Sequence, residues 1–170
     1  MSLYDETVPP MQKYLNNLDA WLDAGVAHAE AKKFDFAVLL NTRMTPDQYP
    51  LIRQIQAACD QAKAAGARVA GQEPPKHPDT ETTLPEIRAR IQKTRDYLAS
   101  LKKEDFEGAE TRLIPLAFAP GTFLLGTEFV RGLALPNFYF HATLAYQILR
   151  ANGVNLGKTQ FIGSLDVRKG

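Results

Sequence analysis

Hydrophobic residues recur every three or four positions in four stretches of the chain, which is the spacing of one face of an amphipathic helix. The stretches are residues 8–33, 45–70, 83–103 and 127–152. In the first, the apolar face is formed by Met11, Leu15, Leu18, Leu22, Gly25 and Ala29. Four helices of roughly four to seven turns, without a fixed-period repeat, predict an all-α four-helix bundle. We expect residues 1–170 to form a single domain.

Short motifs predict where these helices begin and end. Pro9 and Pro10 are expected in the first turn of the first helix, where proline is tolerated. Residues 45–48 (TPDQ) and 83–86 (TLPE) each combine a hydroxyl N-cap, a proline and a side chain that can reach back, so each predicts a capping box. Gly153 is typical of a left-handed stop after the last helix.

The segments between the helices carry turn signals. Residues 71–82 contain three prolines and no periodicity, which predicts an extended loop. Residues 111–125 contain two β-rich runs around Ala119-Pro120-Gly121, which predicts a small hairpin before the last helix. Pro136 should bend that helix. In the tail 154–170, the expected anchors onto the bundle are Leu156, Phe161 and Ile162, and the final residues are expected to be mobile.

Composition narrows the functional class. The chain is 45% hydrophobic and 23% charged, which is typical of a globular protein. A net charge of +1 argues against nucleic acid as the partner, because phosphate-backbone binding needs a basic excess. One cysteine and the absence of a signal-like or membrane-spanning segment predict a cytoplasmic protein that does not contact membranes.

The last predicted helix contains the most informative polar pair. At 100° per residue, one arc holds Val130, Leu133, Asn137, His141, Leu144 and Ile148. Asn137 and His141 therefore face the interior one turn apart, a spacing used both by metal ligands and by plain hydrogen bonds. His141 is either a core histidine bonded to a neighbouring helix or a metal-binding or catalytic group.

The second predicted helix supplies candidate partners for this pair. Gln56, Asp60 and Lys63 lie beside its alanine-rich apolar stripe, where a carboxylate and an amine could orient His141 or shift its pKa. The alternative is a solvated flank on which Asp60 and Lys63 form a surface ion pair. Cys59 lies on the buried stripe and behaves as a small hydrophobic residue. Motifs for phosphoryl transfer, α/β-hydrolase chemistry and zincin proteolysis do not occur in the sequence.

Three long motifs are similar to a known family. They are HAEAKKFDFAVLLNTRMTPDQYPLIRQIQAACDQAK, EPPKHPDTETT and ALPNFYFHATLAYQILRANGV. With them, nearly the whole chain resembles a bacterial domain-of-unknown-function family grouped with the DinB/YfiT-like superfamily of proposed metalloenzymes. The resemblance implies a DinB-like bundle, often dimeric, in which one histidine from the second helix and an HxxxH pair on the last helix hold a divalent metal.

This chain departs from that pattern at two of the three metal ligands. Aligning the end of the last helix places His141 on the second histidine of HxxxH and Asn137 on the first, so the chain reads NxxxH. The second helix has no histidine, and its nearest substitutes are Gln54, Gln56 and Asp60. The resemblance therefore implies at most a weak site for a divalent metal at His141.

Three functional hypotheses follow. The first is an uncharacterised DinB-like protein whose interior polar pocket binds a small molecule or a weakly held divalent metal, with Asn137 and Gln56 as ligand-binding residues. The second is a metal-assisted transferase or hydrolase in which His141 and Asp60 are catalytic; some members of the superfamily are thiol-dependent transferases. The third is a non-catalytic dimeric stress or interaction protein. We expect a homodimer in each case. The alanine-rich second helix and the aromatic run at residues 138–140 present more apolar surface than one chain can cover.

Overall fold

Four long helices form the structure, a computed structural model that describes residues 2–168. They are α1 (Leu3–Lys32), α3 (Leu51–Val69), α4 (Leu84–Ser100) and α6 (Leu135–Ala151). The shorter elements are α2 (Ala37–Leu40), β1 (Leu113–Pro115), β2 (Phe123–Leu125), α5 (Gly126–Glu128) and α7 (Lys158–Ile162), with 3₁₀ turns at Lys103–Phe106 and Ala109–Thr111 and a π-helical segment at Phe129–Ala134. The predicted all-α four-helix bundle with a small hairpin before the last helix is confirmed.

Helix α3 lies at the centre of the bundle and packs against α1, α4 and α6. Four of its six alanines are buried within the chain; they are Ala58, Ala62, Ala65 and Ala67. Their small side chains allow the neighbouring helices to approach closely. This contradicts one reason for expecting a dimer, since the alanine-rich face is already covered by the protein's own helices.

The two prolines of α1 lie inside the helix, not in its first turn. Ser2 caps the helix: its backbone N–H donates to the Asp5 carboxylate at 3.1 Å, and the Ser2 hydroxyl accepts from the Asp5 N–H at 3.4 Å. The capping box starts the helix six residues before Pro9, so Pro9 and Pro10 remove two backbone hydrogen bonds from its interior. The predicted start at residue 8 was therefore wrong.

The first residues of α3 also differ from the prediction. The Thr45 hydroxyl donates to the Asp47 carboxylate at 2.7 Å and caps no helix. The helix begins six residues later, where the Leu51 N–H donates to the carbonyl of Thr42 at 2.9 Å. The capping box at 45–48 was thus wrong, because a local side-chain pair satisfies the same residues in a turn.

The other two local motifs are confirmed. At the start of α4, the Glu86 carboxylate accepts the Thr83 N–H at 2.9 Å within the predicted capping box. Strands β1 and β2 pair antiparallel, and the Thr122 N–H closes their turn on the carbonyl of Ala119 at 3.1 Å. Gly121 has φ +83°, which is the conformation that favours glycine after Pro120.

The last helix carries a π-helical segment immediately before Pro136. A π turn spaces its hydrogen bonds by five residues, so side chains beyond it are rotated relative to an uninterrupted α-helix. Asn137 and His141 are half-buried on the flank of the face that is buried after Pro136, and of the predicted arc beyond Pro136 only Ile148 is buried. The buried face consists of Phe138, Ala142, Ala145, Tyr146, Ile148 and Leu149. The predicted interior arc is therefore corrected to a flank. Gly153, at φ +88°, ends the helix as predicted.

The tail is attached to α1 as expected. Leu156 is buried, and Phe161 stacks on Trp21 with ring centroids 5.6 Å apart. The Trp21 indole donates to the carbonyl of Gln160 at 3.0 Å. The mobility predicted for the last residues concerns in part residues 169 and 170, which lie outside the described residues. Within 2–168, none of the helices combines the length and apolar character that a membrane crossing requires.

Gly126 joins the hairpin to the last helix, and a substitution there tests how closely this junction is packed. A Cβ atom at this position would lie 1.9 Å from the carbonyl oxygen of Ala109, a backbone atom that cannot move aside. We expect Gly126→Ala to lower the free energy of unfolding by about 2 kcal/mol or more, measured by urea denaturation.

Gly132 provides the matched control, since nothing lies within 4 Å of a Cβ built there. Gly132→Ala should change stability by less than about 1 kcal/mol. Equal losses in the two variants would contradict the packing described around Gly126.

Candidate functional site

His141 is held by a residue from the central helix. It lies half-buried on α6, one turn after Asn137. Its Nδ1 atom is 2.8 Å from the side-chain oxygen of Gln54, which is buried on α3. The interpretation of His141 as a histidine hydrogen-bonded to a neighbouring helix therefore agrees with the structure.

The orientation of Gln54 determines which nitrogen of His141 carries the proton. The Gln54 side-chain N–H donates to the carbonyl of Tyr49 at 3.2 Å, so its oxygen faces His141. An amide oxygen can only accept, and Nδ1 must therefore donate. Burial lowers the pKa of His141, which favours the neutral ring at pH 7. In that neutral ring Nε2 holds a lone pair and acts as a hydrogen-bond acceptor.

Two exposed aromatic rings flank the imidazole. Tyr49 lies parallel to it with ring centroids 6.5 Å apart, and Phe140 meets it edge-on at 5.2 Å. Tyr49 is 51% exposed and Phe140 55%. Together with Asn137 and Gln54, these three rings form what we call the His141 site, a polar group set between aromatic surfaces at the N-terminal end of α3.

The structure does not bring Gln56 and Asp60 to His141. The Gln56 amide donates to Glu81 at 2.9 Å, and the carboxylate of Asp60 lies 2.8 Å from the guanidinium of Arg90. Two residues along a helix turn by about 200°, so Gln56 points away from the face that carries Gln54. The expectation that Asn137 and His141 share a pocket with Gln56 or Asp60 is therefore not met.

Gln56 and Asp60 instead belong to a group of charges around the buried Arg90, which we call the Arg90 cluster. The side chain of Arg90 is 1% exposed, and its guanidinium lies 2.8 Å from Asp79 and 3.0 Å from Glu81 as well as close to Asp60. Lys63, whose side chain is 8% exposed, pairs with Asp60. Lys63 and Asp60 thus form the ion pair expected between them, but Lys63 is buried and the side chain of Asp60 is 33% exposed, so this flank is only partly solvated.

Arg53 connects the Arg90 cluster to the His141 site. Its guanidinium lies 5.5 Å from the centre of the Tyr49 ring, donates to the Gln56 side chain at 2.9 Å and pairs with Asp79. Burial alone would raise the pKa of Asp79, but Arg53 and Arg90 hold it below its ordinary value. Asp79 is thus ionised at neutral pH, and the cluster keeps its opposite charges balanced.

The remaining candidates contribute no reactive group. Burial raises the pKa of Cys59 to about 12, so the thiol is protonated at neutral pH. His28 meets Phe34 edge-on at 5.9 Å at the C-terminal end of α1. His77 lies in the proline-rich segment next to the Arg90 cluster.

Sequence reasoning missed Arg90 and Tyr49. Arg90 lies within the apolar stripe of α4, three residues after Ile87 and one before Ile91, and both neighbours are buried. An arginine inside such a stripe indicates a buried charge that needs acidic partners. No comparable signal marks Tyr49. The prediction placed it inside the helix at 45–70, whereas α3 begins two residues after it, at Leu51.

The family model described as "Domain of unknown function (DUF1993)" matches residues 3–162. The chain belongs to this family. No curated protein matches the chain.

A solved structure extends the comparison. The chain is similar to the crystal structure of a DinB family member protein from Shewanella denitrificans, with 47% identity and a TM-score of 0.95 over 99% of this chain and 96% of that one. The DUF1993 protein described here is therefore a member of the DinB-like superfamily, as the sequence motifs predicted.

The residues present do not fit the divalent metal centre that the superfamily resemblance implies. In the described part of the chain, no group of three or more His, Cys, Asp or Glu side chains is arranged to hold a metal ion. The positions of interest carry one imidazole and two neutral amides, and the Gln54 oxygen already accepts from His141. Zinc and similar ions are held by several imidazole, thiolate or carboxylate ligands, which are absent at these positions.

The Arg90 cluster allows a stability test. Arg90→Met keeps the volume but leaves Asp60, Asp79 and Glu81 without their shared cation. Breaking a buried ion pair from one side is strongly destabilising, so we expect a loss of about 3 kcal/mol or more in urea denaturation.

Arg88, on the same helix, is the control, since it pairs with Asp19 and Asp23 at the protein surface. Arg88→Met should cost less than about 1 kcal/mol. A small loss for Arg90→Met would show that the cluster is not a buried network.

Proposed function

We propose that this DUF1993 protein binds a small molecule at the His141 site without a metal ion. The ligand carries an O–H or N–H donor next to a flat apolar group. The observation that supports this is the hydrogen bond from Nδ1 of His141 to Gln54, which leaves Nε2 as an acceptor between the exposed rings of Tyr49 and Phe140.

The unused polar groups of the site favour ligand binding over a purely structural role. Among residues 2–168, no hydrogen bond uses Nε2 of His141 or the side-chain amide of Asn137, although both residues are half-buried. These groups are therefore available to hydrogen-bond with water or with a ligand. The aromatic rings on either side provide the apolar area typical of small-molecule sites.

The catalytic hypothesis receives less support. It requires His141 and Asp60 to act together. Asp60, however, pairs with Arg90 and Lys63 and lies on the side of α3 that faces the proline-rich segment. Without a carboxylate beside it, His141 remains a neutral acceptor. We therefore propose recognition as its function, with Asn137 as a second ligand-binding residue and Gln56 as part of the Arg90 cluster.

Four further properties of the protein stay predictions. They are a cytoplasmic location, a bacterial origin, a homodimer and no binding to nucleic acid. For the dimer, one exposed apolar surface is on the hairpin, where Leu113 pairs with Leu125 and Pro115 with Phe123.

Binding of phenol, compared with anisole, tests the proposed function. Phenol offers one O–H donor on a flat ring, and anisole offers the same ring without the donor. We expect phenol to shift the imidazole NMR signals of His141 and to bind about tenfold more tightly than anisole, because only phenol can donate to Nε2. His141→Phe keeps an aromatic ring but removes the acceptor, and should abolish this preference.

Two controls complete the experiment. His28→Phe changes a histidine outside the site and should leave the preference intact, and thermal melts should show both variants folded. Metal analysis of protein purified without a histidine tag should show no stoichiometric divalent metal. Equal binding of phenol and anisole, or stoichiometric metal lost in His141→Phe, would contradict the proposal.

A further inference from the structure

A cleft lies away from the His141 site, between the C-terminal half of α3 and the proline-rich segment. Its volume is about 580 Å³. One wall is formed by Lys63 and Arg68 from α3, and the other by Lys76 and His77 from the segment. We call it the Lys63 cleft.

The charges that line this cleft are mainly positive. Lys63, Arg68 and Lys76 contribute three cations, and the only carboxylate is that of Asp60. Asp60 already pairs with Lys63 and with Arg90. In the part of the chain that the structure describes, Arg68 and Lys76 form no ion pair or side-chain hydrogen bond. The cleft therefore has an uncompensated positive charge.

The burial of Lys63 distinguishes this cleft from a set of exposed surface lysines. Its side chain is 8% exposed, and burying an ammonium group requires partners for its hydrogens. An ammonium group has three donors, and within residues 2–168 only Asp60 accepts from it. Donor capacity remains on a cation that lines the cleft.

His77 independently indicates a missing partner. Its Nδ1 atom is buried, and none of the described residues accepts from it or donates to it. Burial lowers the pKa of His77, and the positive charges of Lys63, Lys93 and Arg90 lower it further, while Asp60 opposes them. A ring in this position experiences a positive potential, which an anion would reduce.

We propose that the Lys63 cleft binds a small anionic ligand through a phosphate or carboxylate group. Lys63 and Arg68 contact the anionic oxygens from α3, and Lys76 contacts them from the segment. Pro74, Pro75 and Pro78 restrict the backbone of the segment, so little ordering is needed on binding. The Arg90 cluster fixes this segment to α3 and α4 and thereby keeps the cleft formed.

The site is independent of the function proposed for His141. Gln54 and Gln56 already point to different sides of α3, and the Lys63 cleft is further along the same helix. Failure at one site consequently leaves the other unaffected.

The experiment titrates the protein with inorganic phosphate and, separately, with succinate, at constant ionic strength. Binding is followed by NMR through the imidazole signals of His77 and the backbone amides near Lys63. We expect saturable shifts there in the millimolar range or below. Arg68→Gln and Lys76→Gln should each weaken binding by about tenfold, as expected for a lost hydrogen bond to a charged group.

Lys158→Gln, which removes an exposed lysine on α7, is the matched control and should leave binding unchanged. Saturation by phosphate alone identifies a phosphorylated ligand, by succinate alone a carboxylate ligand, and by both a general oxyanion site; each outcome supports the proposal. No saturable shift at His77 with either anion, or binding that Arg68→Gln and Lys76→Gln leave unchanged, would overturn it.

Discussion

The constraint on which the structure depends is that α3 is covered on nearly every side. Helices α1, α4 and α6 pack against it, the proline-rich segment lies beside Asp60 and Lys63, and none of the residues of α3 is exposed. Three polar residues on this helix are therefore buried: Gln54, Gln56 and Lys63. A buried polar group without a partner costs free energy, so each needs a hydrogen-bond or ion-pair partner. The His141 site, the Arg90 cluster and the Lys63 cleft all follow from this requirement.

At the His141 site, a hydrogen bond joins the two helices that, according to the superfamily resemblance, would supply metal ligands. Gln54 on α3 and His141 on α6 bring together the same two helices that would share the ion. The bond links the helices without a charge, and it fixes the tautomer of the imidazole. The consequence is a ring whose Nε2 can accept a hydrogen bond, which is the property that the proposed function uses.

Local signals predicted those parts of the fold that depend on local interactions. The capping box at residues 83–86 and the turn at 119–121 need only their own side chains and backbone, and both are confirmed. The motif at 45–48 has the same residue types but forms a turn, because Thr45 bonds to Asp47 instead of a helix N-terminus. Sequence spacing alone does not distinguish these two outcomes.

The candidate site was predicted only in part, because it also depends on how the helices pack against one another. His141 could be chosen because it lies among apolar residues, and Gln54 was among the substitutes that the family resemblance suggested. The position of Gln56 and Asp60 depends on how α3 is rotated against α6, which periodicity within one helix does not determine. The π-helical segment at Phe129–Ala134 added a further rotation that the assumption of 100° per residue omitted.

The most direct test of this account is the protonation state of His141, measured from its imidazole ¹⁵N chemical shifts as a function of pH. The account predicts a proton on Nδ1 and a lone pair on Nε2 at neutral pH, with a pKa below the ordinary value of about 6.5. Gln54→Leu, which removes the acceptor, should lose the preference for Nδ1–H. A proton on Nε2, or a pKa above the ordinary value, would contradict the central claim that Gln54 holds His141 as a neutral acceptor.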